Sequence, residues 1–477
     1  MDAVNAAHSA SAIVKAALLA ALLPAAAHAA NHDAVLDIPL EFVLFAIMLV
    51  AVGVFHRHTL AVGLIGLAAI SAYKVAFTGF ATGSGFAGLG AHFAHEWVIL
   101  TNLFGLLLGF AILSKHFEAS RAPELLPRFL PDDWKGGLVL LVLIFVLSAF
   151  LDNIAAALIG GTIAGSVFRG RVHIGFLAAI VAASNAGGAG SVVGDTTTTM
   201  MWIDGVAATA VLPAFIASTA ALLVFGIPAA IVQHRFAPII KDPTASIIVD
   251  WTRIGIVLAI LLAAVAANIT LNAYAGELAG QVPVLGLTVW AAILVTAAIR
   301  RPQWSVLPES IKGSVFLLAL VSAASMMPVE KLPSASWQTA FGLGFISSVF
   351  DNIPLTALAL KQGGYDWGML AFTVGFGGSM VWFGSSAGVA ISNLYPQAKS
   401  VAAWIRHGWF IAPAYVIGFF VMLAVWGWHP GEKRDRPTAT QVEATQVASQ
   451  NRGRAPIAEA GRSARGAPVS LLDRSAR

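Results

Sequence analysis

The chain has 477 residues, 58% hydrophobic and only 11% charged, with a mean hydropathy of +0.80. A soluble domain carries about 25% charged residues, so this composition excludes a water-soluble globule, and repeated apolar runs of spanning length indicate an all-α polytopic membrane protein. Strand alternation of the outer-membrane barrel kind is missing, the lack of cysteine excludes disulfides, thiolate metal sites and cysteine catalysis, and a net charge of +4, carried by short loops and the tail, is no sign of nucleic acid.

Residues 1–30 read as a secretory signal or an uncleaved first transmembrane helix: Lys15 precedes a short apolar stretch, and Ala27-His28-Ala29 resembles a cleavage site. Either reading puts residue 31 outside the cytoplasm. Spans are predicted near 37–55, ending at His56-Arg57-His58, and near 59–79, where Lys74 is expected to snorkel to the interface. A Gly-rich loop is expected next, with His92, His95 and Glu96 exposed in it, and then a span near 97–114 and a charged loop over 115–135.

Residues 137–168 would make one helix roughly 48 Å long, against a hydrocarbon core of about 30 Å. That is too long to cross once and too short to cross twice. Lys115, Arg121, Arg128 and Lys135 precede the run and Arg169 and Arg171 follow it, so both ends lie on the cytoplasmic face. The run therefore reads as a re-entrant hairpin, whose tip, Asp152-Asn153, reaches the bilayer midplane. Non-helical backbone is tolerated there only when buried in protein or lining a cavity.

The segment 174–204 is interrupted by SNAGGAGSVVGDTTTT, in which Gly187, Gly188, Gly190 and Gly194 break the helix inside the membrane. A span near 206–232 closes the first half. The second half repeats the plan: spans near 249–271, 283–299 and 311–327, a second hairpin run over 337–360 with Asp351-Asn352 at its centre, a second break at GFGGSMVWFGSSAG (375–388), and a last span near 408–427. SAFLDNI (148–154) matches SSVFDNI (347–353), Gly188 and Gly194 have the spacing of Gly378 and Gly384, and Asp195-Thr196 aligns with Ser385-Ser386. Counting spans turns the halves, 31–241 and 242–428, upside down relative to each other, which is the plan of secondary transporters. Residues 429–477 are polar and Arg-rich and read as a disordered tail. The count puts that tail outside, against its basic charge.

Three carboxylates thus fall at membrane depth, Asp152, Asp195 and Asp351, where an ionisable group is expensive and a functional candidate. The bland reading is helix capping, at which Asp and Asn excel; it leaves unexplained why both tips carry a charge. A hard cation such as sodium wants oxygen ligands. The candidates are those carboxylates, the Asn153 and Asn352 amides, hydroxyls of Ser184, Thr196, Thr197, Thr198, Ser385 and Ser386, and backbone carbonyls of the unwound segments, with Asn185, Gly187, Gly188, Gly194, Gly378 and Gly384 supporting the breaks. No more than two of Thr196 to Thr199 can face one site. A site shared by proton and metal ion suffices for antiport if it faces one side at a time. Asp204 and Asp366 are expected to be solvated. No nucleotide-binding loop is present, no enzyme chemistry is indicated, and no cofactor beyond the transported ions is expected.

Leu151-Asp152-Asn153, the run from Ser184 through Gly188 to Asp195-Thr196-Thr197-Thr198, Asp351-Asn352-Ile353-Pro354, and Gly377-Gly378-Ser379 with Gly384-Ser385-Ser386-Ala387-Gly388 resemble the NhaD-type sodium/proton antiporters of the ion transporter superfamily, as does LPDDW at 130–134. The resemblance covers roughly residues 35–428. It implies exchange of sodium or lithium for protons in a bacterial inner membrane, a homodimer embedded in lipid, and an elevator-like movement of the hairpin-bearing part. The same superfamily holds citrate and dicarboxylate carriers, so sodium-coupled uptake of such an anion is the alternative. Those carriers have Ser-Asn-Thr at the hairpin tips, and two acidic tips would repel an anion.

Overall fold

A computed structural model describes residues 38–55, 58–240, 247–274 and 281–432. The expected leader, the basic pair His56-Arg57, the boundary between the halves at 241–242 and nearly all of the tail lie outside the described residues. Among the described residues the chain is helical, and one isolated bridge, Phe80 with Gly83, is the only extended pairing.

The first half runs α1 (Leu40–Val54), α2 (Thr59–Tyr73) continued by a π-helical turn (Lys74–Thr78), α3 (Gly85–Ala119), α4 (Trp134–Ser148), α5 (Asn153–Val167), α6 (Ile174–Ala189), α7 (Thr196–Ile203) and α8 (Ala214–Phe236). The second runs α9 (Trp251–Tyr274), α10 (Val284–Thr296), α11 (Leu307–Ser325), α12 (Trp337–Val349), α13 (Asn352–Gln362), α14 (Trp367–Gly377), α15 (Ser386–Leu394), α16 (Val401–His407) and α17 (Ile411–Val425). Five helical stretches are long and apolar enough to cross a bilayer, and α16 with α17, bent by 58°, makes a sixth. The spans expected near 37–55 and 283–299 are shorter apolar helices. The outward faces carry large apolar side chains, such as Val43, Ile47 and Val50 on α1 and Leu258, Leu262 and Ile269 on α9. In water such faces would be a liability; in lipid they are the solvated surface. The protein is a multi-pass membrane protein.

The run around Asp152 folds as a helical hairpin. α4 and α5 have 15 residues each, about 22 Å apiece, and pack against one another across a short turn at 149–152. The run around Asp351 does the same with α12 and α13. Both Gly-rich stretches interrupt helices, between α6 and α7 and between α14 and α15.

Packing partners correspond across the two halves. α4 lies on α6 as α12 lies on α14, while the second arm of each hairpin crosses over: α5 packs on α15 and α13 on α7. The remaining helices form a second group, in which α2 meets α11 as α10 meets α3. Polar anchors correspond as well. Ser148 Oγ donates to the Ser184 carbonyl at 2.6 Å, and Ser347 Oγ to the Val374 carbonyl at 2.7 Å. A Cβ on Gly187 would stand 2.0 Å from the Phe145 carbonyl oxygen, and one on Gly377 would stand 2.3 Å from that of Gly344. Only glycine permits hairpin and broken helix to touch backbone to backbone at these two points. An aromatic stack of Phe341, Phe372, Phe376, Tyr415 and Phe419 fills the space between α12, α14 and α17, with the Tyr415 hydroxyl donating to the Phe341 carbonyl at 2.6 Å.

Four expectations change. The Gly-rich loop is not a loop over 85–96: those residues are the first turns of the 35-residue α3, because Gly85, Gly88 and Gly90 are outweighed by the long apolar run behind them. His92 is buried there, its Nε2 3.0 Å from Ser325 Oγ. Lys74 does not snorkel. It is buried in the π-helical turn, its ammonium 5.5 Å from the Phe80 ring centre, a cation–π contact that substitutes for part of its hydration. Asp366 is not solvated but a buried N-cap, accepting from the Met369 and His429 amides at 2.9 and 3.0 Å.

Candidate cation site

Each hairpin tip and each break ends in the N-cap of a helix, and the cap side chains are the sequence candidates. Asp152 caps α5, accepting from Ile154 N at 3.1 Å. Asp351 caps α13 through Ile353 N at 3.0 Å. Asp195 caps α7 through Thr197 N at 2.9 Å, and Ser385 caps α15 through Gly388 N at 3.2 Å. Capping is thus real at all four. At Asp195 the cap takes Oδ1 and leaves Oδ2 to face the neighbouring side chains.

The side chains between the caps form one buried network. Asn153 Nδ2 donates to Asn185 Oδ1 at 3.0 Å and to Asp195 Oδ2 at 3.1 Å. Asn185 Nδ2 in turn reaches across to the other half, donating to Ser379 Oγ at 2.9 Å and Ser385 Oγ at 3.1 Å. Asn153, Asn185, Asp195, Ser379 and Ser385 are all buried. The Ser386 hydroxyl bonds Asp351, and the charges of Asp152 and Asp351 both act on Asp195. The structure therefore brings Asp152, Asn153, Asn185, Asp195, Asp351, Ser385 and Ser386 together. Among the described residues no Lys, Arg or His forms an ion pair with any of the three carboxylates. Asp195 is buried and Asp152 and Asp351 are half-buried; acidic groups gathered this closely with no ion-pairing partner among the described residues favour holding protons or a cation.

The threonine run divides in two. Thr198 Oγ1 donates to the Ser191 carbonyl at 2.6 Å and Thr199 Oγ1 to the Val192 carbonyl at 2.8 Å, so these two brace the break rather than the site. Thr196 and Thr197 are left. The Thr197 hydroxyl is wholly buried beside the Asp195 carboxylate, which it faces. Ser184 Oγ points away, donating to the Val181 carbonyl at 2.9 Å; its own carbonyl receives Ser148. Asn352 is buried at the second tip. Gly187, Gly188, Gly194, Gly378 and Gly384 line the touching backbones of the breaks.

Two participants were not singled out from the sequence. Ser379 is the far end of the Asn185 link. Gly375 stands at the repeat position of Asn185, and a Cβ there would lie 3.4 Å from Asp195 Oδ2, so a methyl group would just touch the carboxylate and a longer side chain would crowd it. The repeat alignment held the signal for Gly375, since it sets Asn185 against it, and Ser379 stood in the quoted Gly377-Gly378-Ser379 motif without a role. Trp382, bulky for such a break, is buried with its ring edge-on to Phe383. A narrow crevice beside Asp152 is walled by Phe110, Leu113 and Ser114 of α3 and Leu261 of α9.

No family model matches the chain. It is 26% identical over 327 residues to sodium/proton antiporter 1 of Arabidopsis thaliana, an overlap of 60% of this chain and 54% of that protein. It is likewise 26% identical over 292 residues to sodium/proton antiporter 2 of the same plant, covering 52% of this chain and 67% of the relative. Its relatives are sodium/proton antiporters. A third, the Na(+)/H(+) antiporter NhaD of Alkalimonas amylolytica, is 36% identical over 91 residues, 18% of either chain. The chain spans about half the length of the first of these relatives and about two thirds of the second. The antiporter resemblance seen in the hairpin and break motifs is therefore supported by relatives that match up to 60% of the chain, and the relatives are transporters rather than enzymes by name.

Proposed function

We propose that the protein exchanges sodium, and lithium as a close substitute, for protons across the membrane by alternating access. The observation that carries this reading is the meeting of Asp152, Asp195 and Asp351 with no ion-pairing basic partner among the described residues, beside the buried Thr197 hydroxyl. Carboxylate, amide and hydroxyl oxygens are the ligand set of a hard monovalent cation. Removal from water favours the neutral acid, so a proton and a sodium ion compete for the same oxygens. Sodium enters when the protons leave, and exchange follows once the loaded site can open on either side.

The two halves, read as inverted repeats, supply that opening. Each hairpin tip meets the break of its own half, while its second arm packs on the half-helix of the other. The group of α4–α8 with α12–α17 would move as one body against α1–α3 and α9–α11. A homodimer in a bacterial inner membrane, holding the second group still, suits such a movement.

In everted vesicles sodium should dissipate a preformed pH gradient, and Asp152→Asn should abolish the effect while the protein remains in the membrane. A chain that ignores sodium and instead accumulates labelled citrate would overturn the reading.

A further inference from the structure

The helix that brings Asn185 to the site, α6, begins at an unusual cap. His173 is its N-cap residue, and His173 Nδ1 accepts the Gly175 N–H at 3.1 Å. To accept there, Nδ1 must carry a lone pair, so the proton of the neutral ring sits on Nε2. A second proton can add only at Nδ1. Capping and protonation are therefore mutually exclusive at this residue. Asp152, Asp195 and Asp351 differ, because a carboxyl that takes up one proton still offers an acceptor oxygen.

The surroundings hold the ring where this matters. Gln233 of α8 is buried; its Oε1 accepts the His173 N–H at 2.8 Å, and its Nε2 donates to the Arg171 and Ala237 carbonyls at 3.1 and 3.3 Å. The His407 ring stands edge-on at 4.9 Å and the Phe236 ring at 5.4 Å. These rings, with Arg171 and Gln397, wall an open pocket of about 500 Å³, so protons reach the pair from solution. The charged and titratable groups on the elements packed around this end of α6 are His234 and Arg235 of α8, Arg406 and His407 of α16, Lys399 of the preceding turn, Arg169 and Arg171 of its own loop, and Lys135 with its ion-pair partner Asp133 at the start of α4. All but Asp133 are basic. An imidazolium here would also stand at the positive end of the α6 dipole.

We propose that His173 is a proton-operated clamp on the start of α6, closed when its ring is neutral and released when the basic-flanked side of the membrane turns acid. Asn185 lies twelve residues along the helix, about 18 Å away. Loosening of the first turn therefore acts on the site through the helix that holds it. Burial first, and then the neighbouring His407, keep His173 below its ordinary value of 6.5. With the folded value below the unfolded one, the clamp is at full strength above about pH 6.5 and is lost progressively as the pH falls from there toward the folded value.

The test uses the purified full chain and needs no transport. The unfolding temperature is followed from about pH 7.5 to about pH 5, with hydrogen exchange of the peptide that begins at Ile174. His173→Asn keeps a cap and removes the titration. It should remove part of the acid-induced drop and the acid-induced rise in exchange at Gly175, corrected for the intrinsic rate. His407→Gln should make the drop smaller and end it at higher pH, since it lifts the folded value of His173 toward the unfolded one. If His173→Asn does not fold, His173→Asp takes its place. Identical pH dependence in wild type and the capped variant overturns the clamp, as does protection of Gly175 that ignores pH. Vesicle assays at saturating sodium, where competition at the carboxylates is suppressed, should show maximal rate falling about threefold less on acidification in His173→Asn than in wild type. That last readout alone rests on the exchange reading. Failure of sodium exchange with the thermal and exchange effects intact would sink the antiporter and leave the clamp.

Discussion

The two broken helices occupy corresponding places and have been given different chemistry. In the first, α6 ends near Asn185 and α7 opens on Asp195. In the second, the same positions hold Gly375 and Ser385. The backbone contacts are nearly interchangeable: Ser148 with Ser184 answers Ser347 with Val374, and Gly187 answers Gly377. The polar side chains are not. The first break supplies an acid and an amide, and the second supplies room for the acid and a hydroxyl for the amide. The halves share a scaffold and, on the proposed reading, divide the labour of holding an ion, with the tips Asp152 and Asp351 an acidic pair related by the repeat.

That division can be attacked directly. Asp195→Asn should reduce sodium exchange by about a hundredfold or more, because it removes the buried carboxylate bonded by Asn153, whereas Ser385→Ala at the matching place should cost only a few-fold. Initial rates of sodium-dependent proton flux decide this, and equal losses would show that the halves are equivalent after all. Next in size are the close approaches. Gly187→Ala and Gly377→Ala should each destabilise by about 1–3 kcal/mol and by similar amounts, since both force backbones apart; thermal unfolding of the purified variants would report it. Asn185→Ala should raise the sodium KM about tenfold with a smaller change in maximal rate, while Gly375→Asn, which drives a side chain toward Asp195, should do more harm than Gly375→Ala. Lowering the pH should raise the apparent sodium KM and leave the sodium-saturated rate of a His173→Asn background nearly unchanged, since protons and sodium share one set of oxygens. The smallest effects are expected at the hairpin anchors: Ser148→Ala and Ser347→Ala should each cost about 1 kcal/mol, and a large difference between them would break the structural half of the comparison.

Much of this was legible in the sequence. A run too long for one crossing and too short for two had to be a hairpin, and glycines clustered in an otherwise apolar segment had to be a break; α4, α5, α6 and α7 sit where that reasoning put them. The helix caps at Asp152, Asp195 and Asp351 were also foreseeable from residue type. Other features depend on what packs nearby, and composition does not reveal it. Gly85 to Gly90 looked like a loop because propensity is local, yet the helix behind them carried the geometry through. Lys74 looked like a snorkelling residue because nothing in its neighbourhood of sequence announces Phe80 as a partner. Asp366 looked solvated because its second partner, the His429 amide, comes from more than sixty residues away. Ser379 joined the site only once Asn185 was seen to reach it.

α3 carries a consequence for the membrane itself. Its 35 residues make a rod of about 52 Å, and at an ordinary tilt of about 20° it would still rise close to 49 Å along the bilayer normal. A hydrocarbon slab of about 30 Å leaves several turns outside it. The same rod touches α7, which starts at Asp195, and also α9, α10 and α11. Changing lipid thickness shifts the free energy of such a rod at its two ends, and its neighbours at both places must adjust. Acyl-chain length is then a setting on turnover as well as an anchor, and liposomes of graded chain length would display it as an optimum rather than a plateau.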